Sequence, residues 1–335
     1  MGEKNWMKKV VFFTDENKLK DALNIFNIES FKGKIIPFKL HMGELRNKFF
    51  VKPSFVKHVV DVLKSFNIDV FLFDTTVAYS GLRSTKRGYE KLARIHGFPQ
   101  KVGCKVVIDD TGVPVKVEGK EYEVAEHLFN AIHIFALSHV KGHIAAGMGG
   151  AIKNFGMGGV TRETKRRMHN WCKPMYIRDN CVFCGICTEV CPFDAIHVKK
   201  DKKLWGWDEK ACFGCGVCVE NCGSDALQYV DVDLQYSLAC AAKACVQGKK
   251  VIYLNELKRI AKKCDCHPSA GPVICPDIGY LVSDDPVAVD KASLDLINKV
   301  KPDVFEKENK VDPYKQIKYG EEIGLGSSSY RLIEI

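Results

Sequence analysis

The chain has 335 residues, 46% of them hydrophobic, and a formal net charge of +9. A chain of this length can bury a large core, and it contains no run of roughly 18 apolar residues that would predict a membrane-spanning helix. The opening residues, MGEKNWMKKVVFFTDENK, lack the apolar core and small-residue cleavage site of a signal peptide. The sequence therefore predicts a cytoplasmic protein that does not insert into a membrane.

The first part of the chain alternates strand-like and helix-like segments. Short apolar runs predict strands at residues 10–13, 35–40, 69–74, 105–108 and 132–137. Helical spacing of apolar residues predicts helices at residues 18–26, 53–66, 84–95 and 124–131. Because strands that alternate with helices need crossover connections, this pattern predicts an α/β fold with a mainly parallel sheet and helices on both faces. The run DVFLFD at 69–74 is apolar on both faces, which predicts a strand inside the sheet.

The same alternation returns towards the C-terminus. Four segments are predicted as helix, strand, strand and helix, at residues 234–246, 251–254, 273–278 and 286–300. The chain therefore predicts one α/β domain in two parts, residues 1–175 and 231–335, with an inserted domain at 176–230. From residue 301 the sequence is charged and weakly periodic, so we expect it to wrap the surface or to be partly mobile.

Eight of the 15 cysteines fall in two motifs with the same spacing. Residues 181–191 read CVFCGICTEVC and residues 212–222 read CFGCGVCVENC, each C-x2-C-x2-C-x3-C. Bacterial ferredoxins bind 4Fe-4S clusters with this spacing, taking three thiolates from one loop and the fourth from the other motif. The sequence thus predicts two 4Fe-4S clusters, one held by Cys181, Cys184, Cys187 and Cys222, the other by Cys212, Cys215, Cys218 and Cys191.

A zinc site and a disulfide knot are the alternatives for such dense cysteines. Structural zinc sites separate pairs of cysteines by a spacer, whereas each half here packs four thiolates into eleven residues. The halves also repeat outside the cysteines, since CPFDAIHV in the first is echoed by CGSDALQYV in the second. Residues 176–230 therefore resemble a bacterial two-cluster ferredoxin, an α+β domain. Thiolate ligation requires a reducing compartment, so the other seven cysteines are not expected to form disulfides.

A glycine-rich segment, SHVKGHIAAGMGGAIKNFGMGGVTR at residues 138–162, follows the strand predicted at 132–137. It lacks the Walker A and dinucleotide-binding motifs, so it does not indicate a nucleotide. Loops at the carboxyl ends of sheet strands often bind ligands, and glycines let backbone N–H groups approach an anion. We therefore predict one pocket for a small anionic ligand or a metal-bound cofactor, lined by His139, Lys141, His143, Lys153 and Asn154. The alternative is a glycine-rich turn required only for packing.

Other polar residues join this pocket if their loops meet at the same sheet edge. They are His41 and Glu44 in the stretch HMGE, together with Arg83 and His169. Taken singly, each is typical of an ordinary surface or core residue.

A second cysteine-containing stretch, CDCH, lies near the C-terminus. It groups Cys264, Cys266 and His267, whose soft ligand atoms would suit an extra metal ion. C-x-C-H is not a strong zinc spacing, however, and buried free thiols are common, so core packing is the alternative.

Several segments together resemble one protein family. They are HMGE, the strand end Asp74-Thr75, GLRSTKRGYE, HVKGH, GGAIKN, CDCH and SDDPVAVD. With the cysteine motifs they resemble the uncharacterised iron-sulfur-centre proteins, a domain-of-unknown-function family of bacteria and archaea. The resemblance implies an α/β domain with a ferredoxin insertion, but it implies no settled substrate. A more distant similarity in architecture to nickel-dependent lactate racemases implies a metallo-cofactor site, without a ligand motif that matches residue by residue.

These patterns favour an iron-sulfur protein that transfers electrons and feeds a redox site for a small anionic ligand, which would make it an oxidoreductase. The basic runs RETKRR, KKDKK and KRIAKK are either solvated surface or a docking face for an acidic redox partner. Two alternatives stay open: a non-catalytic binding or regulatory protein with structural clusters, and a metallo-cofactor-dependent enzyme. No DNA- or RNA-binding motif accompanies the lysines, so a nucleic acid partner is not expected.

Overall fold

The computed structural model describes residues 7–335. Residues 1–6 lie outside the described residues; they are the start of the first predicted domain part and of the N-terminal stretch that lacks signal-peptide features. The strands in chain order are β1 (Lys8–Phe13), β2 (Ile35–Leu40), β3 (Asp69–Thr75), β4 (Val106–Asp109), β5 (Gly112–Val117), β6 (Lys120–Ala125), β7 (His133–His139), β8 (Lys141–His143), β9 (Gly147–Gly149), β10 (Pro174–Tyr176), β11 (Ile196–Lys199), β12 (Leu204–Trp207), β13 (Leu227–Tyr229), β14 (Lys250–Leu257), β15 (Ile260–Ala261), β16 (Val273–Cys275), β17 (Gly279–Ser283) and β18 (Tyr330–Glu334).

The α-helices in chain order are α1 (Leu19–Asn24), α2 (Pro53–Ser65), α3 (Lys86–Ile95), α4 (Phe98–Val102), α5 (Glu126–Asn130), α6 (Ala151–Gly156), α7 (Arg162–Trp171), α8 (Ile186–Glu189), α9 (Val217–Glu220), α10 (Leu234–Val246), α11 (Pro286–Val300), α12 (Val304–Asn309) and α13 (Lys315–Glu322). Within residues 7–335, no helix has the length and apolar character needed to cross a membrane.

Eight strands form the main sheet, in the order β18-β1-β17-β14-β7-β2-β3-β4. Only β17 is antiparallel to its neighbours, β1 and β14, and every other pairing in the sheet is parallel. The mainly parallel α/β sheet predicted from the sequence is confirmed. The run DVFLFD forms β3, which pairs on both sides as its apolar faces predict.

Side chains of the central strands alternate between two hydrophobic cores, one on each face of the sheet. On β7, Ile134 and Ala136 pack into the core that includes residues of α6, α10 and α11. Phe135 and Leu137 pack into the core that includes residues of α1, α2 and α3. Because successive side chains of a strand point to opposite faces, apolar residues at every position require helices on both faces.

Residues 174–230 lie outside the main sheet. They form two small antiparallel sheets, β10 with β13 and β11 with β12, and the one-turn helices α8 and α9. Pro174 pairs with Tyr229, so the two ends of the segment meet. Its hydrophobic cluster has three buried members, Ile196, Cys218 and Leu227, with partly buried residues packed around them. The domain boundaries at 176 and 230 remain predictions.

The helix predicted at residues 124–131 is wrong in its first part. Residues Lys120–Ala125 form β6, which pairs with β5 in a hairpin, and only Glu126–Asn130 are helical. The two-residue turn consists of Glu118 and Gly119, both with positive φ. Such turns match the twist of paired strands, so the turn chemistry outweighs the helical spacing that follows it.

The strand predicted at 273–278 is shorter in the structure, and the C-terminal stretch, expected to wrap the surface or to be partly mobile, forms regular elements. Only Val273–Cys275 form a strand, β16, which ends before Pro276 because proline cannot donate a ladder hydrogen bond. This strand pairs with β15, outside the main sheet. The main-sheet strand is β17, which follows it. The stretch after residue 301 forms α12, α13 and β18, and β18 extends the sheet beside β1.

Candidate functional site

The loops after β2, β3 and β7 meet at one edge of the sheet and enclose a cavity of about 650 Å³. These strands are parallel, so their carboxyl ends share the edge where open α/β sheets bind ligands. Every ligand candidate predicted from the sequence lines this cavity: His41, Arg83, His139, Lys141, His143, Lys153 and Asn154. Glu44 and His169 line it too.

Asp74, near the end of β3, is a buried carboxylate in the cavity wall. Its Oδ1 lies 2.9 Å from Nζ of Lys39, its Oδ2 lies 3.5 Å from Nη2 of Arg83, and the Tyr89 hydroxyl donates to it. Burial alone would raise the pKa of Asp74, but the charges of Lys39 and Arg83 hold that pKa well below its ordinary value. Asp74 is therefore a fixed anion that orients Arg83 in the wall.

Asn154 ties the glycine-rich segment to the strand before it. Its Oδ1 accepts a hydrogen bond from Lys39 at 2.8 Å, and its Nδ2 lies 3.1 Å from the carbonyl oxygen of Leu137. Because both ends of the amide are engaged, Asn154 positions α6 against β7.

His139 is held by hydrogen bonds at both ring nitrogens. Its Nδ1 lies 2.9 Å from Oδ1 of Asp265, and its Nε2 lies 2.8 Å from the carbonyl oxygen of Lys258. Lys141 Nζ lies 3.2 Å from the other carboxylate oxygen of Asp265. Burial would raise the pKa of Asp265, but His139 and Lys141 lower it well below its ordinary value. His139 therefore anchors the CDCH loop, and no ring nitrogen is left for a ligand or a proton transfer.

Three residues with metal-binding atoms come together on the cavity wall. One ligand atom each from His143, Cys264 and Cys266 lies within 4.8 Å of the other two. His267, the third ligand considered from the sequence, is exposed and lies outside this group, and its Nδ1 accepts a hydrogen bond from Ser269 N at 3.1 Å. The histidine of the three-residue group is therefore His143, which lies on β8, more than a hundred residues before Cys264 in the chain.

The surroundings of this group favour a thiolate and a neutral imidazole. A hydrogen bond from Cys266 and the positive charge of Lys153, whose Nζ is 3.9 Å from Sγ of Cys264, lower the pKa of Cys264 well below its ordinary value. Burial, helped by Lys153, lowers the pKa of His143 well below its ordinary value. A thiolate at Cys264 and a neutral ring at His143 are the forms in which these side chains bind metal ions.

His41 presents an unsatisfied donor. Its Nδ1 accepts a hydrogen bond from Gly43 N at 3.0 Å, so in the neutral ring the proton is on Nε2. Burial and the nearby charge of Arg83 lower the pKa of His41 well below its ordinary value, which keeps the ring neutral. Nε2 is buried and has no hydrogen-bond partner within residues 7–335. A buried donor of this kind needs an acceptor, and the cavity is where one can bind.

His169 connects the cavity with the second cysteine motif. Its Nδ1 donates to the carbonyl oxygen of Gly214 at 3.0 Å, and its ring lies 4.3 Å from the Phe213 ring. Burial lowers the pKa of His169 to about 4. Phe193 stacks on Phe213 at 5.2 Å, and both rings line the cavity. One wall of the cavity is thus built by Phe193, two residues after Cys191, and by Phe213, the residue next to Cys212.

The eight motif cysteines line two separate small cavities. Cys181, Cys184, Cys187 and Cys222 line one, and Cys191, Cys212, Cys215 and Cys218 line the other. No disulfide joins the cysteines in the part of the chain that the structure describes. The glycines inside the motifs, Gly185, Gly214 and Gly216, all have positive φ, which turns the loop backbone around each cavity.

Two glycines of the segment 138–162 are required for packing. A Cβ at Gly150 would lie 2.3 Å from Oδ1 of Asp290, and one at Gly156 would lie 2.2 Å from the carbonyl oxygen of Leu238. Asp290 accepts hydrogen bonds from Ala151 N and Ile152 N, and burial raises its pKa to about 6. The packing alternative therefore accounts for these glycines, while the polar residues between them line the cavity.

Three further cavity or support residues were not singled out from the sequence. Lys39 is a lone charge in the strand IIPFKL, and Asp265 lies between two cysteines, so each offered a weak signal. Lys165 is fully buried, and its Nζ lies 2.6 Å from Oγ1 of Thr75. Burial lowers the pKa of Lys165 to about 7. It belongs to RETKRR, where a solvated or docking surface was expected, so for this residue the expectation is wrong.

Comparisons with known proteins give one family and two distant structural matches. A family model described as a domain of unknown function, DUF362, matches residues 36–295. The lactate racemase apoprotein from Thermoanaerobacterium thermosaccharolyticum is 13% identical with a TM-score of 0.38, over 76% of this chain and 52% of that chain. A Thermotoga maritima protein is 12% identical with a TM-score of 0.43, over 89% of this chain and 59% of that chain. No curated protein matches the chain.

Proposed function

Because the chain belongs to the DUF362 family, whose function is unknown, we propose a function from the site itself: the protein binds two 4Fe-4S clusters and moves electrons between a redox partner and a small anionic ligand in the cavity. The observation that carries this proposal is that the ligand cavity and the second four-cysteine set share a wall. Phe193 and Phe213, which flank cysteines of the second set, also line the cavity.

The cysteine arrangement fits two clusters. Each set of four thiols surrounds its own cavity, and each set takes three cysteines from one motif and one from the other, as in two-cluster ferredoxins. Positive φ at these glycines allows backbone N–H groups to turn towards the thiols, where they would stabilise negative charge. Such clusters would supply one-electron transfer, and the chain contributes their ligands, their burial and their distance from the cavity.

The two sets differ in exposure, which suggests a direction for electron flow. Cys184 of the first set is exposed, as are its neighbours Val182 and Ile186. Cys218 of the second set is buried, and the residues beside this set face the cavity. The first cluster would therefore exchange electrons with a partner at the surface, and the second would exchange them with the bound ligand.

A basic surface next to the first set favours an acidic partner protein. The run KKDKK at 199–203 is largely exposed, and Lys200 lies against the first loop, since a Cβ at Gly185 would be 2.9 Å from its Cε. Opposite charges steer diffusional encounter and orient the docked pair.

The cavity favours an anion because cationic groups outnumber anionic groups in its lining. Lys39, Lys165 and Arg83 surround the single carboxylate of Asp74, and Lys153 makes no ion pair with a carboxylate within residues 7–335. The unpaired Nε2–H of His41 adds a neutral donor. A carboxylate or phosphate would accept from these groups, and charge-assisted hydrogen bonds of this type are strong.

Two measurements on anaerobically purified protein test the proposal. We expect about eight irons and about eight acid-labile sulfides per chain. We also expect inorganic phosphate or oxalate to shift the paramagnetic resonance signal of only one reduced cluster, the one that Cys191→Ser alters. Stoichiometric zinc without sulfide would refute the clusters. Equal shifts of both signals, or no shift, would refute the coupling between cavity and cluster.

A further inference from the structure

The group formed by His143, Cys264 and Cys266 belongs to neither four-cysteine set and lies on the cavity wall. We propose that these three residues hold one thiophilic divalent metal ion whose remaining coordination position faces the cavity. This inference rests on the proposed function for its ligand, because the anion in the cavity would occupy that open position.

The donor set suits such an ion. Cys264, His143 and Cys266, which would lose its proton when the ion binds, form a Cys2His set, which soft and borderline metals prefer. Structural zinc sites have four protein ligands, whereas catalytic sites keep three and leave one position for water or substrate. Three ligands on the wall of an open cavity match the second type.

Asp265 fixes the loop that carries the two thiols. The carboxylate is fully buried and bonded to His139 and Lys141, and its carbonyl oxygen accepts from Glu44 N at 2.9 Å. With Asp265 held by these bonds and itself outside the lining, Cys264 and Cys266 on either side of it line the cavity. Buried partners that orient metal ligands are the usual support of a metal site, so the loop has a geometry that core packing does not require.

Charge and hydrogen bonding are also compatible with an ion here. Lys153, whose Nζ is 3.9 Å from Sγ of Cys264, and Lys141, which also lines the cavity, would offset part of the negative charge of the two cysteine ligands. His143 Nδ1 accepts one long hydrogen bond, 3.2 Å from Ala145 N. Nδ1 can bind a metal ion only if this bond breaks, and Nε2 can do so only if the ring proton moves to Nδ1, which breaks the bond as well.

The ion would act on the anion directly. At the open position it would bind a carboxylate or phosphate oxygen and withdraw electron density from it, which is Lewis-acid chemistry without electron transfer. His41 and Lys153 line the same cavity and would donate to the remaining oxygens. The proposed ligand class is thus a small oxyanion bound jointly by metal and by cationic side chains.

Zinc(II) is the probe for the experiment, added at one equivalent to anaerobic protein that retains its iron and sulfide. We expect one bound zinc per chain, with X-ray absorption showing two sulfur atoms at about 2.3 Å and nitrogen or oxygen at about 2.0 Å. Cys264→Ser, Cys266→Ser and His143→Ala should each weaken zinc binding by more than the 10- to 100-fold typical of second-shell losses. His267→Ala and Cys275→Ser, in the same loop region but outside the group, should bind zinc like the parent.

Iron and sulfide are counted in every sample, which separates this proposal from the two clusters. Zinc retained by Cys264→Ser or His143→Ala, or lost by His267→Ala, would overturn the assignment. A Cys264–Cys266 disulfide detected by mass in anaerobic protein, with no zinc uptake, would overturn it as well. Because the absorption spectrum is recorded on the parent protein, failure of a variant to fold does not remove the test.

Discussion

The main sheet and the cysteine-rich segment 174–230 are stabilised in different ways. The sheet buries apolar side chains on both faces in two large cores, whereas the hydrophobic cluster of the segment has three buried members and a few partly buried ones. Apolar burial contributes about 25 cal/mol per Å², so a cluster this small offsets little of the conformational entropy of a segment this long. The difference indicates that the segment depends on the clusters proposed for it, while the sheet does not.

Removal of iron should have the largest effect and should be confined to one region. After anaerobic chelation we expect protease cleavage within 174–230 and protection of the sheet, because metal ligation is folding free energy for a small metal domain. Limited proteolysis followed by mass spectrometry locates the cuts. If the segment stayed as resistant as before chelation, its independence from metal would be established and the contrast with the sheet would fail.

Loss of one cysteine should damage one cluster, and the damaged cluster reveals the ligand assignment. Cys191→Ser should perturb the cluster that uses Cys212, Cys215 and Cys218, although Cys191 belongs to the first motif. Cys222→Ser should do the reverse. Paramagnetic resonance of the reduced variants distinguishes the two signals, and damage to the cluster of the same motif would contradict the crossover.

Addition of one methyl group at Gly150 should test how closely α6 packs against Asp290 of α11. Gly150→Ala should reduce the free energy of unfolding by about 1–3 kcal/mol, because the new Cβ would lie 2.3 Å from Oδ1 of Asp290. Gly149→Ala is the matched control, since its nearest neighbour, Cδ of Lys153, is 3.4 Å away. Urea unfolding measures both. Equal free energies of unfolding for the two variants would contradict the prediction, because Asp290 and α6 could then move apart without loss of stability.

The smallest expected effect is on ligand binding at the cavity. Lys153→Ala should weaken binding of inorganic phosphate about 10-fold, the equivalent of about 1.4 kcal/mol, and leave iron content unchanged. Lys86→Ala, an exposed lysine of α3 outside the cavity, controls for the loss of one positive charge. Isothermal titration calorimetry compares the two variants. If both variants matched the parent protein, Lys153 would have no role in anion binding.

Local patterns in the sequence determined much of the fold. The predicted bounds of α10 and α11 match the structure at 234–246 and 286–300, because helical spacing and the N-caps Asp233 and Asp285 are local signals. The run DVFLFD similarly identified an internal strand. The hairpin of β5 and β6 was missed because a short turn can override the spacing beside it.

Local patterns also predicted part of the candidate site. The residue types and the strand end at which they gather were predictable, because parallel strands bring their following loops to one edge. The cysteine spacing by itself also suggested two sets of four, since ligands from one loop are close in sequence as well as in space.

The roles of individual side chains were decided only by the tertiary structure. His139 is fixed by Asp265, 126 residues away in the chain, and His143 takes the place beside Cys264 and Cys266 that His267 holds in the sequence. Likewise, Lys39 forms an ion pair with Asp74, which lies on the neighbouring strand and 35 residues away in the chain. Hydrogen bonds and ligand groups depend on distances of a few ångströms between segments that are remote in sequence, and no local pattern encodes those distances.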